Sequence, residues 1–122
     1  MLVEVSIGEV LDKISILAIK LSKIQDTDKL RNISKEMRAL TSALPKGILE
    51  DPLYQELCGI NMLLWNIEDE IRDCERNKDF HSDFIRLARA VYHTNDKRAA
   101  VKKQINIKYN SDLVEEKSYK EY

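Results

Sequence analysis

Trp65, Glu68, Arg72 and Glu75 follow one another at spacings of three, four and three, which lays an arginine between two carboxylates on one stripe of a helix. A guanidinium held in that setting suits a carboxylate or a phosphate, because its planar fork of donors meets two oxygens at once. Arg89, Tyr92, Asn95 and Asp96 recur at helical spacing further on, and would face the first group from a neighbouring helix. Together Glu68, Arg72, Glu75, Arg89, Tyr92, Asn95 and Asp96 make a candidate wall for a small anionic ligand. The plainer reading of Glu68, Arg72 and Glu75 is an intrahelical ion-pair ladder, worth a few tenths of a kcal/mol per pair, and their spacing favours that reading.

Other chemistry finds less support. Two E-x-x-D spacings, Glu9 with Asp12 and Glu70 with Asp73, each place two acids about one turn apart, as a Mg²⁺ site on adjacent helices requires. Glu9 and Asp12 point away from the main apolar stripe of their helix, so a solvated face is the expectation for them. His81 falls in a turn and His93 in a polar block, with no G-x-S-x-G elbow and no cysteine near either in sequence, so no catalytic residue is assigned. Cys58 and Cys74 lie sixteen residues apart in one expected helix, about 24 Å at 1.5 Å per residue, too far to bridge, and both read as buried thiols. No cofactor or metal is implied.

The elements that must carry these residues are helical. Three glycines and two prolines in 122 residues are too few for a β-sandwich or barrel. Ser6 and Glu9 have capping-box spacing, and Ile7, Val10, Leu11, Ile14, Leu17, Ala18, Leu21 and Ile24 then share one face of a first helix. Ile16 and Ile19 project from nearly the opposite side, so that helix is either sandwiched in the core or carries a second apolar surface for another chain. Asp26 or Thr27 caps a second helix with Leu30, Ile33, Met37, Leu40 and Leu44 inward, ending before Pro45. Asp51 and Pro52 are a cap and first-turn proline for a third, where Leu53, Leu57, Ile60, Leu64, Ile67, Ile71 and Cys74 repeat four-three, and Leu63 and Trp65 widen the stripe.

Ser82 or Asp83 caps a fourth helix whose stripe runs through Phe84, Ala88, Val91, Asn95, Arg98, Lys102 and Ile105. Its polar block, His93 to Arg98, could be a break with Thr94 or Asn95 as a new cap. The absence of Gly and Pro from Phe80 to Tyr109 favours one continuous helix with Asn95 inward, first as a device that fixes register, then as a cap, last as a ligand site.

The fold expected is all-α: an antiparallel bundle of about four helices in two hairpins, residues 1–110, followed by a charged tail, residues 111–122, that is mobile or docks on a partner. Ile16, Ile19 and Trp65 are the candidate oligomer interface. Twenty Lys and Arg against 21 Asp and Glu leave a formal charge of -1, against the basic footprint of a nucleic-acid binder, although Lys97, Arg98, Lys102, Lys103 and Lys108 form a local basic run. No apolar run reaches membrane-spanning length and the start MLVEVSIGEV lacks the pattern of a signal peptide, so the expected compartment is the cytoplasm, with no membrane partner.

Three resemblances bear on function. The E-x-x-D pairs look faintly like those of the all-α nucleotide pyrophosphohydrolases, which would imply Mg²⁺-dependent chemistry. Leu11-Asp12-Lys13-Ile14-Ser15 is similar to the start of the all-α chorismate mutases, intertwined helical dimers that grip a dicarboxylate, but Leu11 stands where that family has its substrate-binding arginine. VEVSIGEVLDKISIL, LWNIEDEIRDCE, RAVYHTNDKRAAVKKQIN and VEEKSY together resemble a family of short bacterial and environmental proteins classed as a domain of unknown function, over nearly the whole chain. That resemblance implies a helical domain and no assigned activity. The leading expectation is an interaction or scaffold module acting as a homo-oligomer, and the alternative a bundle that binds an anionic metabolite or nucleotide.

Overall fold

The computed structural model describes residues 1–122 as four α-helices and no strand: α1 (Ile7–Lys23), α2 (Thr27–Thr41), α3 (Pro52–Arg76) and α4 (Ser82–Lys108), with one 3₁₀ turn at Ile48–Glu50. None of these helices is long and apolar enough to cross a membrane.

The helix starts follow local chemistry. Ser6 Oγ accepts from Glu9 N at 3.2 Å, Asp26 Oδ1 from Lys29 N at 3.0 Å, and Asp51 Oδ1 from Leu53 N at 2.8 Å, with Pro52 in the first turn of α3. Glu9 leaves the capping box half-made, because its carboxylate goes to Lys102 instead of back to the cap. At α4 neither Ser82 nor Asp83 caps. His81 holds that position without a side-chain bond, and Asp79 Oδ1 accepts from His81 N at 3.2 Å. α2 stops at Thr41, short of Leu44, and Leu44 packs on the core from the following turns.

The connections make α1–α2 and α3–α4 hairpins running up, down, up, down, and the cross-links agree. Gly8 meets Asn106 while Asp12 meets Arg98, so α1 and α4 are antiparallel, and Asp51 at the start of α3 meets Tyr109 after the end of α4. The bundle is not square. α1 packs on all three other helices, whereas α2 comes close to α1 and to neither α3 nor α4. That arrangement resolves the two apolar sides of α1: it is sandwiched, and Ile19 is only 6 % exposed within the single chain. Leu11, Ile14, Leu57, Val101 and Ile105 form the central core, closed at one end by Ile48 and Tyr54.

α4 is one continuous helix through the polar block. Its buried face runs Leu87, Thr94, Val101, Lys102, Ile105 and Asn106, so the inward polar residue of the block is Thr94, seven residues from both Leu87 and Val101, and Asn95 sits half-buried beside it. The two cysteines share α3 and are half-buried, more open than expected.

Beyond α4, Asn110 takes a left-handed conformation (φ 53°) and Ser111 N donates to Asn106 O at 2.8 Å, closing a Schellman-type turn. Asparagine tolerates that conformation better than most side chains. The chain reverses there, Ser111 Oγ accepts from Ile7 N at 3.1 Å, and the tail returns along α4 of its own chain.

Candidate functional site

A polar cluster interrupts the core where α1, α3 and α4 meet. Asp12, 1 % exposed, accepts at Oδ1 from Asn61 Nδ2 and Arg98 Nε, both at 2.8 Å, while Arg98 NH2 reaches its second oxygen. Ser15 Oγ accepts from Asn61 Nδ2 at 2.6 Å and donates to the Asp12 carbonyl at 2.7 Å. Asp12 is therefore no member of a solvated face. α3 and α4 cover the flank of α1 on which Asp12 lies, and the solvated side is left to Glu9 and Lys13. A carboxylate gripped bidentately by a guanidinium and hydrogen-bonded by an amide has its oxygens satisfied, the condition under which burial of such a group is tolerated. No buried polar side-chain atom in the chain lacks a hydrogen-bond partner.

One turn further along α4, Lys102 Nζ lies 2.7 Å from Glu9 Oε2, 3.8 Å from Asp12 Oδ2 and 3.2 Å from Glu115 Oε2 of the tail. Its side chain is 11 % exposed. Burial opposes the charge of Lys102, but the three carboxylates outweigh it and raise the ammonium pKa above its ordinary value. Arg98 is raised too, chiefly by its bonds to Asp12. Glu115 bridges Lys117 and Lys102, and these two cations hold its pKa below the usual carboxylate range.

Slack in the tail makes a cavity here. Glu115 is anchored at Lys102 and Tyr122 at Asp96, positions about 9 Å apart along α4 at 1.5 Å per residue. The seven-residue step from Glu115 to Tyr122 could span about 24 Å if extended. The surplus chain bows outward and leaves a groove of about 930 Å³, with Tyr92, Asn95, Asp96, Arg98, Ala99 and Lys102 as floor and Lys117, Tyr119, Lys120 and Tyr122 as roof. At its far end Tyr92 and His93 lie 4.8 Å apart, and Tyr122 meets both edge to face, at 5.3 and 4.7 Å. The Tyr122 hydroxyl donates to Asp96, which pushes its pKa up to about 12.

Of the seven ligand candidates read from sequence, the groove takes Tyr92, Asn95 and Asp96. Glu68 and Arg72 form an exposed pair at 3.4 Å and Glu75 meets Lys78 at 3.9 Å, so the α3 stripe is a solvent-facing ladder outside the groove. Arg89 is exposed and outside the groove. Ile16 and Trp65 are half-buried and Ile19 buried, which leaves little of that candidate interface free. Within the basic run, Arg98, Lys102, Lys103 and Lys108 are all ion-paired inside the chain. No group of three or more His, Cys, Asp or Glu side chains is placed to hold a metal ion.

Sequence reading missed Asp12, Asn61, Glu115 and the tail lysines. A signal existed: Arg98 and Lys102 lay on the expected seam, and inward cations require inward acids. Asn61 also falls between Leu57 and Leu64 on the α3 seam.

The fold and this cluster define a small all-α domain with a buried ion-pair network and a tail strapped across its last helix. The chain belongs to the family described as "Family of unknown function (DUF6165)", whose model matches residues 1–122. No curated protein and no solved structure gives a significant match.

Proposed function

We propose that the chain is a binding domain for a small anionic ligand, held in the groove between α4 and the tail. The observation that carries this reading is Glu115. Its carboxylate sits between two ammonium groups, Lys102 on the helix and Lys117 on the tail, at the rim of a hollow that the bowed tail leaves open. A site that already holds a carboxylate in this way has the donors for a carboxylate or phosphate from outside. Of the acids in and beside the groove, Asp12 is paired with Arg98 and Asp96 accepts from the Tyr122 hydroxyl, which favours binding over acid-base catalysis.

A melting-temperature screen with phosphorylated metabolites, nucleotides and dicarboxylates, with and without Mg²⁺, tests the reading. A ligand at 100 times its Kd stabilises the fold by about 2.7 kcal/mol. Lys120→Glu, on the exposed tail and outside the core, should weaken any such effect. Absence of stabilisation by every compound rejects the proposal.

Self-association is the second reading, and apolar side chains left open favour it: Leu63 is 49 % exposed on α3, with Met62 beside it and half-buried Trp65 near, and Ile85 is open on α4. Sedimentation should then give a mass above the 14.2 kDa monomer, falling to monomer in Leu63→Glu. A strict monomer at micromolar concentration discards it.

A further inference from the structure

Besides the exposed Lys103–Glu116 pair at 3.0 Å, the tail contacts α4 at two places of different chemistry, and both have the character of a ligand subsite filled from within. At one, the carboxylate of Glu115 bridges Lys102 and Lys117. At the other, the ring of Tyr122 packs edge to face on Tyr92 and His93. The anchors on α4 are six residues apart, about 9 Å along the helix. Apart from these side-chain contacts the tail between them is extended chain with no helix or strand of its own, and every residue from 112 to 122 is exposed. Contacts of this kind, an ion pair whose tail partner is exposed and one aromatic cluster at the surface, are individually weak and open readily.

Resting on the anion-binding reading above, we propose that Glu115 and Tyr122 are internal stand-ins for a ligand that joins a flat ring to an anionic group, a nucleoside phosphate being the chemical class with that layout, and that its binding displaces these two side chains and frees the end of the tail beyond Lys117. The phosphate takes the place of the Glu115 carboxylate between the two lysines. The base takes the place of the Tyr122 ring against Tyr92 and His93, where stacking is tolerant of base identity. Release of Glu115 removes one negative charge from a cluster that holds three carboxylates, Glu9, Asp12 and Glu115, against Arg98 and Lys102, so an incoming phosphate meets a floor one charge less acidic. The tail thereby sets a threshold, because the ligand must outcompete a group tethered beside the site.

The experiment compares adenosine 5′-monophosphate, adenosine and inorganic phosphate by calorimetry on the full chain, together with tryptic cleavage of the tail at Lys117 and Lys120. Adenosine 5′-monophosphate should bind about tenfold more tightly than phosphate, a preference that Tyr92→Ala abolishes. Glu115→Gln should tighten both phosphate-bearing probes by about threefold, the worth of one exposed ion pair. Cleavage after Lys120 should quicken when adenosine 5′-monophosphate is bound. Equal affinity for phosphate and adenosine 5′-monophosphate, or protection of the bond after Lys120 by the nucleotide, overturns this inference and leaves the anion site standing. Absence of binding by any probe to both the wild type and Glu115→Gln overturns the two together. Binding of a peptide of residues 111–122 to a chain truncated after Ser111, with no nucleotide bound by either form, assigns the groove to a peptide and also overturns it.

Discussion

At the scale of single residues, the Asp12–Arg98 pair is where the fold is most exposed to damage. Asp12→Asn keeps the shape but leaves the guanidinium of Arg98, 28 % exposed, without its charge partner, and loss of one member of a buried pair costs about 3 kcal/mol or more. Urea unfolding should show that loss, and a change below about 1 kcal/mol would mean the pair is solvated. Two glycines give an opposed test. A Cβ on Gly8 would lie 2.7 Å from the Lys102 carbonyl, backbone that cannot step aside, so Gly8→Ala should destabilise by about 1 to 3 kcal/mol. Gly59 lies inside α3 with nothing near its missing Cβ, so Gly59→Ala should stabilise by about 0.5 to 1 kcal/mol. Asp51 supplies a pH signature. Lys108, at 2.6 Å, and then the Tyr109 hydroxyl hold its pKa down from 3.8 to about 2. Its contribution is complete above the unfolded value and is lost as pH falls from 3.8 towards 2, because the unfolded chain takes up the proton first. Asp51→Asn should flatten acid denaturation over that interval, and an unchanged profile would show that other carboxylates govern it. Sequence spacing identified the Asp51 cap but not its partners at the end of α4, since no periodicity links residues 58 positions apart.

The helices themselves were largely legible, because each is amphipathic and three of the four begin at a side-chain cap that the sequence displays. Two element-scale errors have physical causes. The buried face of α4 was set one residue off, at Asn95 instead of Thr94, because the polar block removes the apolar markers that fix phase over two turns. A helix covered on several sides has no single inward face, so the dominant stripe of α1 misplaces Asp12, while burial of Ile19 fits the sandwiched alternative. The tail behaves differently from the helices. It should contribute little to stability, since each of its ion pairs has an exposed partner on the tail, even where Lys102 is buried, and such pairs are worth about 1 kcal/mol or less each. A chain ending at Ser111 should keep cooperative unfolding and lose about 1 kcal/mol, checked by circular dichroism and urea titration. A loss of several kcal/mol would make the tail part of the core instead of a strap over it.

At the scale of the whole molecule, charge that nearly cancels in sum is sharply organised in space, with inward cations of α4 answered by acids from α1 and from the tail. Helical fold class follows from composition and periodicity alone. The groove does not, because it arises from surplus length in a segment that has no periodic signal and folds back only after the turn at Asn110. Tyr92, Asn95 and Asp96 were within reach of sequence reasoning since they share a helix with the seam. Lys117, Lys120 and Tyr122 were not. The claim that this groove is a binding site is tested most directly by calorimetric titration of phosphate-bearing compounds into the wild type and into the double variant Lys117→Glu, Lys120→Glu, whose substitutions lie wholly on the roof of the groove. Saturable binding to the wild type that the double variant weakens about tenfold or more is the expected result, two charge reversals at about 1.4 kcal/mol or more in sum. Heats no different from buffer dilution, or equal affinity in both proteins, would contradict it.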